Sequence, residues 1–354
     1  MRIVVATVVH HPEDARIFHR QIPALLEAGH DIVYVAPSAE RDLSRPQLRH
    51  RPIERAEGRR RFRALRVAAR ALWEESEAAD LTIVHDPELT VRYRRIRSPR
   101  IWDVHEDLPA QIADKAWIPQ VLRGLAGWVA RRIEHRAAEQ FELMLAEESY
   151  AERVGGGVVV RNTPRVPDVV EPPGDGRIVY VGRVSIGRGA KTMVDAMRSL
   201  GPDTQLDVYG SVDAEVVPML SEAMPNVSVH GFLENPVVLD RIEGAMAGLA
   251  LLDDRDNYRA SMPTKVLEYM ARGIPVITTP NPMARQIVEE SGAGLVVPFG
   301  DPTEVALAIE RLRDPEFRSA CAENGRRVAR EHFDWSTDAA VMLGLVDRVA
   351  GIES

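Results

Sequence analysis

One pattern recurs along this chain and constrains it more than any other: an apolar run, a loop, an amphipathic stretch closed by glycine, then another apolar run. Residues 3–9 read as a buried strand, Asp14 as the N-cap of a helix reaching about Ala28, and Gly29 as its stop. Residues 31–37 read as the next strand. Strand, helix and strand in that order make a βαβ unit, and such units build parallel sheets. Further strands are expected at 81–84, 100–104, 141–145 and 157–160, with an Arg-faced helix over 119–139. The Pro/Gly/Asp-rich segment 164–176 interrupts the alternation. It restarts with strands at 177–181, 205–209, 226–230, 247–252, 274–278 and 294–297, and helices at 190–200, 302–313, 315–331 and 336–350. The expectation is an α/β chain with two doubly wound domains, 1–163 and 177–334, joined by a hinge at 164–176.

A length of 354 residues suits two domains. With 45% hydrophobic and 28% charged residues the composition is that of a globular protein. No apolar run approaches the roughly 20 residues needed to span a bilayer. The opening strand is too short and too weakly charged at its start for a signal peptide. Cys321 is the only cysteine, so there is no disulfide framework or thiolate metal site, and a reducing cytoplasm is the expected location. The net charge of -8 is uneven: residues 1–163 carry 26 basic against 24 acidic side chains, and the rest 19 against 29. This points to two domains with different partners. Residues 41–72 hold eleven arginines against three acids. They read as a solvated helix face plus loop, with an anionic lipid surface or a phosphate-bearing acceptor as the alternative. Nucleic acid is not expected, because aromatics are not interleaved and the protein is acidic.

Titratable residues gather where strands end. After the first strand come His11, Asp14 and Arg16; after the third, His85, Asp86 and Glu88; after the fourth, His105 and Glu106. In doubly wound sheets these ends form the ligand edge. The first turn lacks Gly-x-Gly-x-x-Gly, which argues against a dinucleotide there. His105 can hydrogen-bond a sugar hydroxyl or act on an acceptor proton; a neutral histidine capping the next helix is the plain alternative. A His/Asp metal site lacks the helical i, i+4 spacing of a ligand pair.

In the second half, Gly182-Arg183-Val184-Ser185-Ile186-Gly187-Arg188-Gly189 forms a Gly-rich strand-to-helix loop with two arginines, a pattern suited to a diphosphate. Residues 257–277 read as loop, helix and strand, with Pro263 in the first turn and Gly273 at the C-terminal cap. A helix N-terminus presents free N–H groups to an anion. Lys265 adds charge, and Glu268 lies close to the same face. Lys265 is one of only three lysines, with Lys115 and Lys191. The run Asp253-Asp254-Arg255-Asp256 contains Asp-x-Asp but reads as a solvated turn.

Taken together, His11-Pro12-x-Asp14-x-Arg16-Ile17, His85-Asp86-Pro87-Glu88-Leu89, Asp103-Val104-His105-Glu106-Asp107, Val181-Gly182-Arg183 and Pro263-Thr264-Lys265-Val266-Leu267-Glu268 resemble the retaining glycosyltransferases of family four. The resemblance covers nearly the whole chain. It implies a GT-B fold, two Rossmann-like domains facing a central cleft, with residues 335–354 forming a C-terminal helix that crosses back to the N-domain. It implies transfer of a sugar from a nucleotide-diphosphate sugar, UDP-linked in first place, to a hydroxyl of a glycan, lipid-linked or natural-product acceptor, without a cofactor or metal. His105, Arg183 and Lys265 would be the catalytic groups. Donor binding would fall to Arg183, Arg188, Phe232, Asn257, Tyr258, Ser261, Thr264, Lys265, Val266 and Glu268. Acceptor binding would fall to His11, Asp14, Arg16, His85, Asp86, Glu88 and Glu106. Glu268 matches the second glutamate of the family's Glu-x7-Glu motif, whereas Ala260 stands at the first. Two alternatives stand beside the transferase: another GT-B enzyme, such as a nucleotide-sugar epimerase or phosphorylase, and a non-catalytic sugar-nucleotide-binding subunit, which the departure at Ala260 allows. The Trp-bearing helix over 119–139 adds peripheral contact with an anionic membrane at its inner face as an expectation.

Overall fold

The computed structural model describes residues 1–91, 93–105, 120–174, 176–221, 225–259 and 261–352. Glu106 and Ala260 lie outside the described residues. The chain divides into two compact units, residues 1–162 with 337–354, and residues 163–336.

The first unit is built on a seven-stranded sheet. Its strands are β1 (Arg2–Ala6), β2 (Asp31–Pro37), β3 (Leu48–Ile53), β4 (Leu81–Val84), β5 (Arg100–Val104), β6 (Glu142–Leu145) and β7 (Val158–Val159), ordered β3-β2-β1-β4-β5-β6-β7. Every pairing in it is parallel. Ile3, Val4, Val5 and Ala6 of β1 are wholly buried, as a central parallel strand covered on both faces requires. On one face Val4, Ala6, Val33 and Val35 pack against Ala64, Ala68, Ala71 and Leu72 of the helix Arg61–Ser76. These alanines recur at helical spacing and let that helix lie close to the sheet.

Part of the Arg-rich region differs from expectation. Residues 48–53, read as helix face and loop, form the edge strand β3. Its ends Leu48 and Ile53 are buried, while Arg49 and Arg51 reach Glu74 and Glu75 on the helix Arg61–Ser76. An edge strand needs little apolar surface, and charged side chains protect its open side, so its hydrophobic pattern is weak. Most of the arginines in 41–72 are likewise paired with carboxylates. The first helix also begins differently: residues Ile17–Gln21 are wound as a π-turn before the α-helix Ile22–Glu27. Asp14 caps this turn as expected, accepting the Arg16 and Ile17 N–H groups at 2.9 and 3.0 Å.

Residues from Thr337 onward in the helix Trp335–Ala350 group with the first unit. Buried Asp338 accepts the Arg161 N–H at 3.0 Å and its guanidinium at 3.1 and 3.2 Å, and Met342, Leu345 and Val346 are buried.

The second unit has a six-stranded sheet of β8 (Arg177–Val181), β9 (Gln205–Tyr209), β10 (Val227–Gly231), β11 (Ala247–Ala250), β12 (Val276–Thr278) and β13 (Gly294–Val296), all parallel, ordered β10-β9-β8-β11-β12-β13. Separate apolar clusters include Ile178 and Tyr180 in one and Val179 in the other, following the alternation of β8. In both sheets strand order reverses once, between β1 and β4 and between β8 and β11. The carboxyl ends at such a switch point leave a crevice that holds ligands in open α/β sheets.

Candidate active site

Each unit carries its chemistry at its own switch point. In the first, the loop after β1 brings His10, His11 and Asp14 beside the carboxyl ends of β4 and β5, around a cavity of about 410 Å³ that Arg61, Glu88 and Glu134 also line. Glu88 is engaged by Arg61, and His11 Nδ1 accepts the Glu13 N–H at 3.2 Å.

The floor of this cavity is a buried ionic lattice. Arg16 grips Asp103 with two hydrogen bonds of 2.8 Å, and Gln21 Nε2 donates to the same carboxylate at 2.7 Å. His85 Nδ1 stands 3.1 Å from it. Burial alone would raise the Asp103 carboxyl, but the charge and hydrogen bonds of Arg16 outweigh it and hold it well below the carboxylate range. Asp86 is wholly buried and accepts the Val8 N–H at 2.6 Å; burial pushes its carboxyl up. Burial also works to raise Asp14, yet the charge of His10 and the N–H groups it caps bring it down. His105 is pushed down to about 3, first by burial and then by His10.

His85, Asp103 and His105 bring three ligand-type atoms within 4.8 Å of one another. The carboxylate of that trio already serves Arg16, Gln21 and His85, and the guanidinium places a fixed positive charge on it. The donor set therefore suits a cation poorly.

Of the residues expected in this site, His11, Asp14, His85, Glu88 and His105 line the cavity. Arg16 and Asp86 lie beneath, 2% and 0% exposed. Glu106 is outside the described residues. His10 and Asp103 had no role assigned from the sequence. A carboxylate inside the otherwise apolar strand β5 is itself a signal, since a buried Asp has to be paired.

In the second unit, β8 runs into the loop 182–189 and the helix Ala190–Leu200, and β11 leads by residues 251–263 to the helix Thr264–Ala271. Pro263 stands just before that helix, and Gly273, at φ +64°, takes the left-handed turn after it. Lys265 Nζ is buried and has no hydrogen-bond partner among the described residues. It stands 3.9 Å from the centroid of the Tyr180 ring. A Cβ built on Gly182 would lie 3.7 Å from Lys265 Nζ and 4.0 Å from Arg188 Nη1. Two cations thus converge on the Gly182 backbone. Burial, and next the charge of Arg188, lower Lys265 to about 7.

Arg183 is mostly exposed and chelates Asp213 at 2.7 and 2.9 Å. Glu268 is buried and accepts the Asn235 amide at 3.1 Å. The Tyr269 hydroxyl accepts the Val181 N–H at 2.9 Å and donates to the Leu249 carbonyl at 3.3 Å, tying the helix of Lys265 to β8 and β11. Ser261 Oγ donates to the Tyr258 carbonyl at 3.2 Å. Thr264 and Tyr258 are half-buried, and Phe232 is exposed. Val266 is wholly buried, so only its backbone can meet a ligand. Asn257 sits in the turn Asp256–Arg259. Asp254 and Asp256 pair with Arg259. Asp213, Asn235 and Tyr180 were not anticipated, because each partners its neighbour from a different strand or loop.

Comparison with known proteins accords with this arrangement. Residues 163–328 match the family model described as Glycosyl transferases group 1. An alpha-D-kanosaminyltransferase of Streptomyces kanamyceticus is 25% identical over 178 residues, 48% of this chain and 44% of that protein. A phosphatidyl-myo-inositol mannosyltransferase of Mycobacterium leprae (strain TN) is 24% identical over 216 residues, 58% of this chain and 56% of that protein. The chain thus spans about half the length of the curated relatives it matches. Sucrose-phosphate synthase from Thermosynechococcus elongatus superposes with a TM-score of 0.77 at 19% identity, over 99% of this chain and 100% of that one. Anabaena Alr3699/HepE, solved in complex with UDP and glucose, superposes with a TM-score of 0.73 at 14% identity, over 98% and 99%. The two parallel sheets are those of the GT-B fold, and residues 163–328 match the glycosyl transferases group 1 family.

Proposed function

We propose that this protein is a retaining, metal-independent glycosyltransferase. It would move a sugar from a nucleotide-diphosphate sugar, a UDP-sugar in first place, to a hydroxyl of a glycan, lipid-linked or natural-product acceptor. The observation that carries the reading is the buried Lys265 Nζ, without an acceptor among the described residues, beside Arg188 at a switch-point crevice. A buried cation of this kind calls for an anion. Two phosphates would receive Lys265, Arg188 and, once released from Asp213, Arg183. These charges, fixed in place, would offset the charge that develops on the departing diphosphate without a metal. Glu268 would accept from the ribose hydroxyls, exchanging Asn235 for the nucleotide. The relatives' names support sugar transfer, and the UDP complex of Alr3699/HepE supports the choice of nucleotide. The acceptor would take the cavity of His11, Asp14, Glu88 and His105 in the first unit.

The test is calorimetry and thermal unfolding against UDP, GDP and a panel of their sugars, followed by NMR of the product's anomeric linkage. A ligand at 100 times its Kd stabilises a fold by about 2.7 kcal/mol. Binding of one sugar nucleotide, an α-donor giving an α-product, and insensitivity to EDTA are expected. An inverted linkage would sink the retaining assignment, and absence of any nucleotide binding the whole proposal.

A cytoplasmic enzyme touching an anionic membrane face is part of the same proposal. No helix among the described residues is long and apolar enough to cross a membrane. A groove of about 750 Å³ sets Arg94, Arg95, Arg132 and Arg136 around Trp128 and Val129. Arginine around exposed aromatic surface suits anionic lipid. Co-sedimentation with phosphatidylglycerol vesicles but not phosphatidylcholine vesicles, lost at high salt, is the expected result; equal binding to both would remove this part.

A further inference from the structure

Two imidazole nitrogens face one another at the floor of the first-unit cavity. His10 Nε2 lies 3.0 Å from His105 Nε2, with ring centroids 4.6 Å apart and planes tilted by 46°. Two nitrogens at that distance share one hydrogen, and their other neighbours decide which ring owns it. His105 Nδ1 is 3.1 Å from the Asp103 carbonyl oxygen and 3.6 Å from an Asp103 carboxylate oxygen. A carbonyl and an ionised carboxylate only accept, so Nδ1 carries a hydrogen and the neutral ring keeps its lone pair at Nε2. His10 Nε2 also has Asp86 Oδ1 at 3.4 Å. Facing a carboxylate oxygen and an imidazole lone pair, His10 Nε2 is the atom that bears the hydrogen.

We infer that His10 is a positioning residue of this pocket: its Nε2–H donates to His105 Nε2 and holds His105 in the tautomer protonated at Nδ1. The inference deepens the proposed acceptor pocket and rests on that reading only for its kinetic consequence. His105 is then an uncharged ring whose single lone pair is engaged by His10, so a hydroxyl arriving at Nε2 has to displace the His10 donor and never meets an imidazolium that donates. Among the described residues, the charged groups about the pair include Asp14 from the loop after β1, Arg16 from the turn that follows, Asp86 after β4 and Asp103 in β5; His85 is a third imidazole. Burial and the charges of His10, His85 and Arg16 work against a charge on His105 and outweigh Asp103, which favours one.

The deciding experiment is nitrogen-15 NMR of the histidine side chains of the full chain, without substrate, from pH 5 to 8. It is expected to show His105 in the Nδ1–H tautomer throughout, not titrating, with a scalar coupling across the N–H···N bond to His10. In His10→Ala the coupling is lost and His105 titrates at least tenfold more readily in proton concentration. His10→Gln, whose amide also donates, restores the non-titrating tautomer. An ordinary titration of His105 in the wild type, or no coupling between the rings, overturns the inference, and both are read even if His10→Ala fails to fold. An identical His105 titration in His10→Ala overturns it as well. If sugar transfer is measured, the acceptor KM acquires a new pH dependence in His10→Ala and loses it in His10→Gln. If no transfer is found, the proposed function falls while the NMR result stands on its own.

Discussion

Lys265 holds its ammonium 3.9 Å from the centre of the Tyr180 ring, in a site where it is buried and meets no hydrogen-bond acceptor among the described residues. The ring face offsets only part of the lost hydration. Burial, and then Arg188, lower the folded-state value to about 7 from 10.5. The unfolded chain therefore binds more protons than the folded one between about pH 7 and 10.5, and stability rises with pH across that window. The destabilisation is full below pH 7 and gone above 10.5.

Diphosphate binding restores the charged form, so it takes up protons. Calorimetry at pH 8 in buffers of different ionisation enthalpy is expected to show uptake of up to about one proton per nucleotide. The uptake disappears in Lys265→Met, which also unfolds at higher temperature than wild type at pH 7. Equal proton counts in the two proteins would separate Lys265 from the anion.

Arg183→Ala and Glu268→Ala divide the nucleotide between its ends. Each removes hydrogen bonds to a charged group worth roughly 1.5–3 kcal/mol, about ten- to a hundredfold in Kd. Arg183→Ala is expected to weaken UDP but leave uridine unchanged, and Glu268→Ala to weaken both. Titration calorimetry with uridine and UDP reads the split.

Arg16→Ala leaves the Asp103 carboxylate buried without its counter-charge, which costs about 3–5 kcal/mol. Asp103 sits below its ordinary value of 3.8 in the fold. Its ionic contribution is thus present above that pH and is lost as pH falls through the folded value. Urea unfolding at pH 7 is expected to show the full loss in Arg16→Ala. Wild type should lose stability in acid more steeply than the variant does.

Gly189 has φ +80°, and a Cβ on it would lie 2.1 Å from the Leu251 carbonyl oxygen. Gly189→Ala adds backbone strain of about 1–3 kcal/mol and forces the loop 182–189 away from the end of β11. Lower thermal stability together with weaker UDP binding is the expected outcome. Gly201, at φ +76°, has nothing within 4 Å of a built Cβ, so Gly201→Ala is the control that carries strain without the clash.

The sheet strands, the two-fold restart of the βαβ pattern and the Gly-rich loop before Ala190 were legible in the residues, because buried parallel strands are written as unbroken apolar runs and glycine marks the turns between them. β3 was not, since an edge strand with Arg49, His50 and Arg51 carries no apolar alternation. The ends of β1, β4, β5 and β8, with Lys265 at the start of its helix, could be named as ligand-bearing because sequence fixes which residue follows a strand. Whether a charged side chain there meets a ligand or another side chain could not be named. Arg16 turns to Asp103, Arg183 to Asp213 and His105 to His10, pairings across 87, 30 and 95 residues of chain. Local propensity acts over a few residues, whereas which charges become neighbours depends on strand order, and strand order exists only once the sheet has formed.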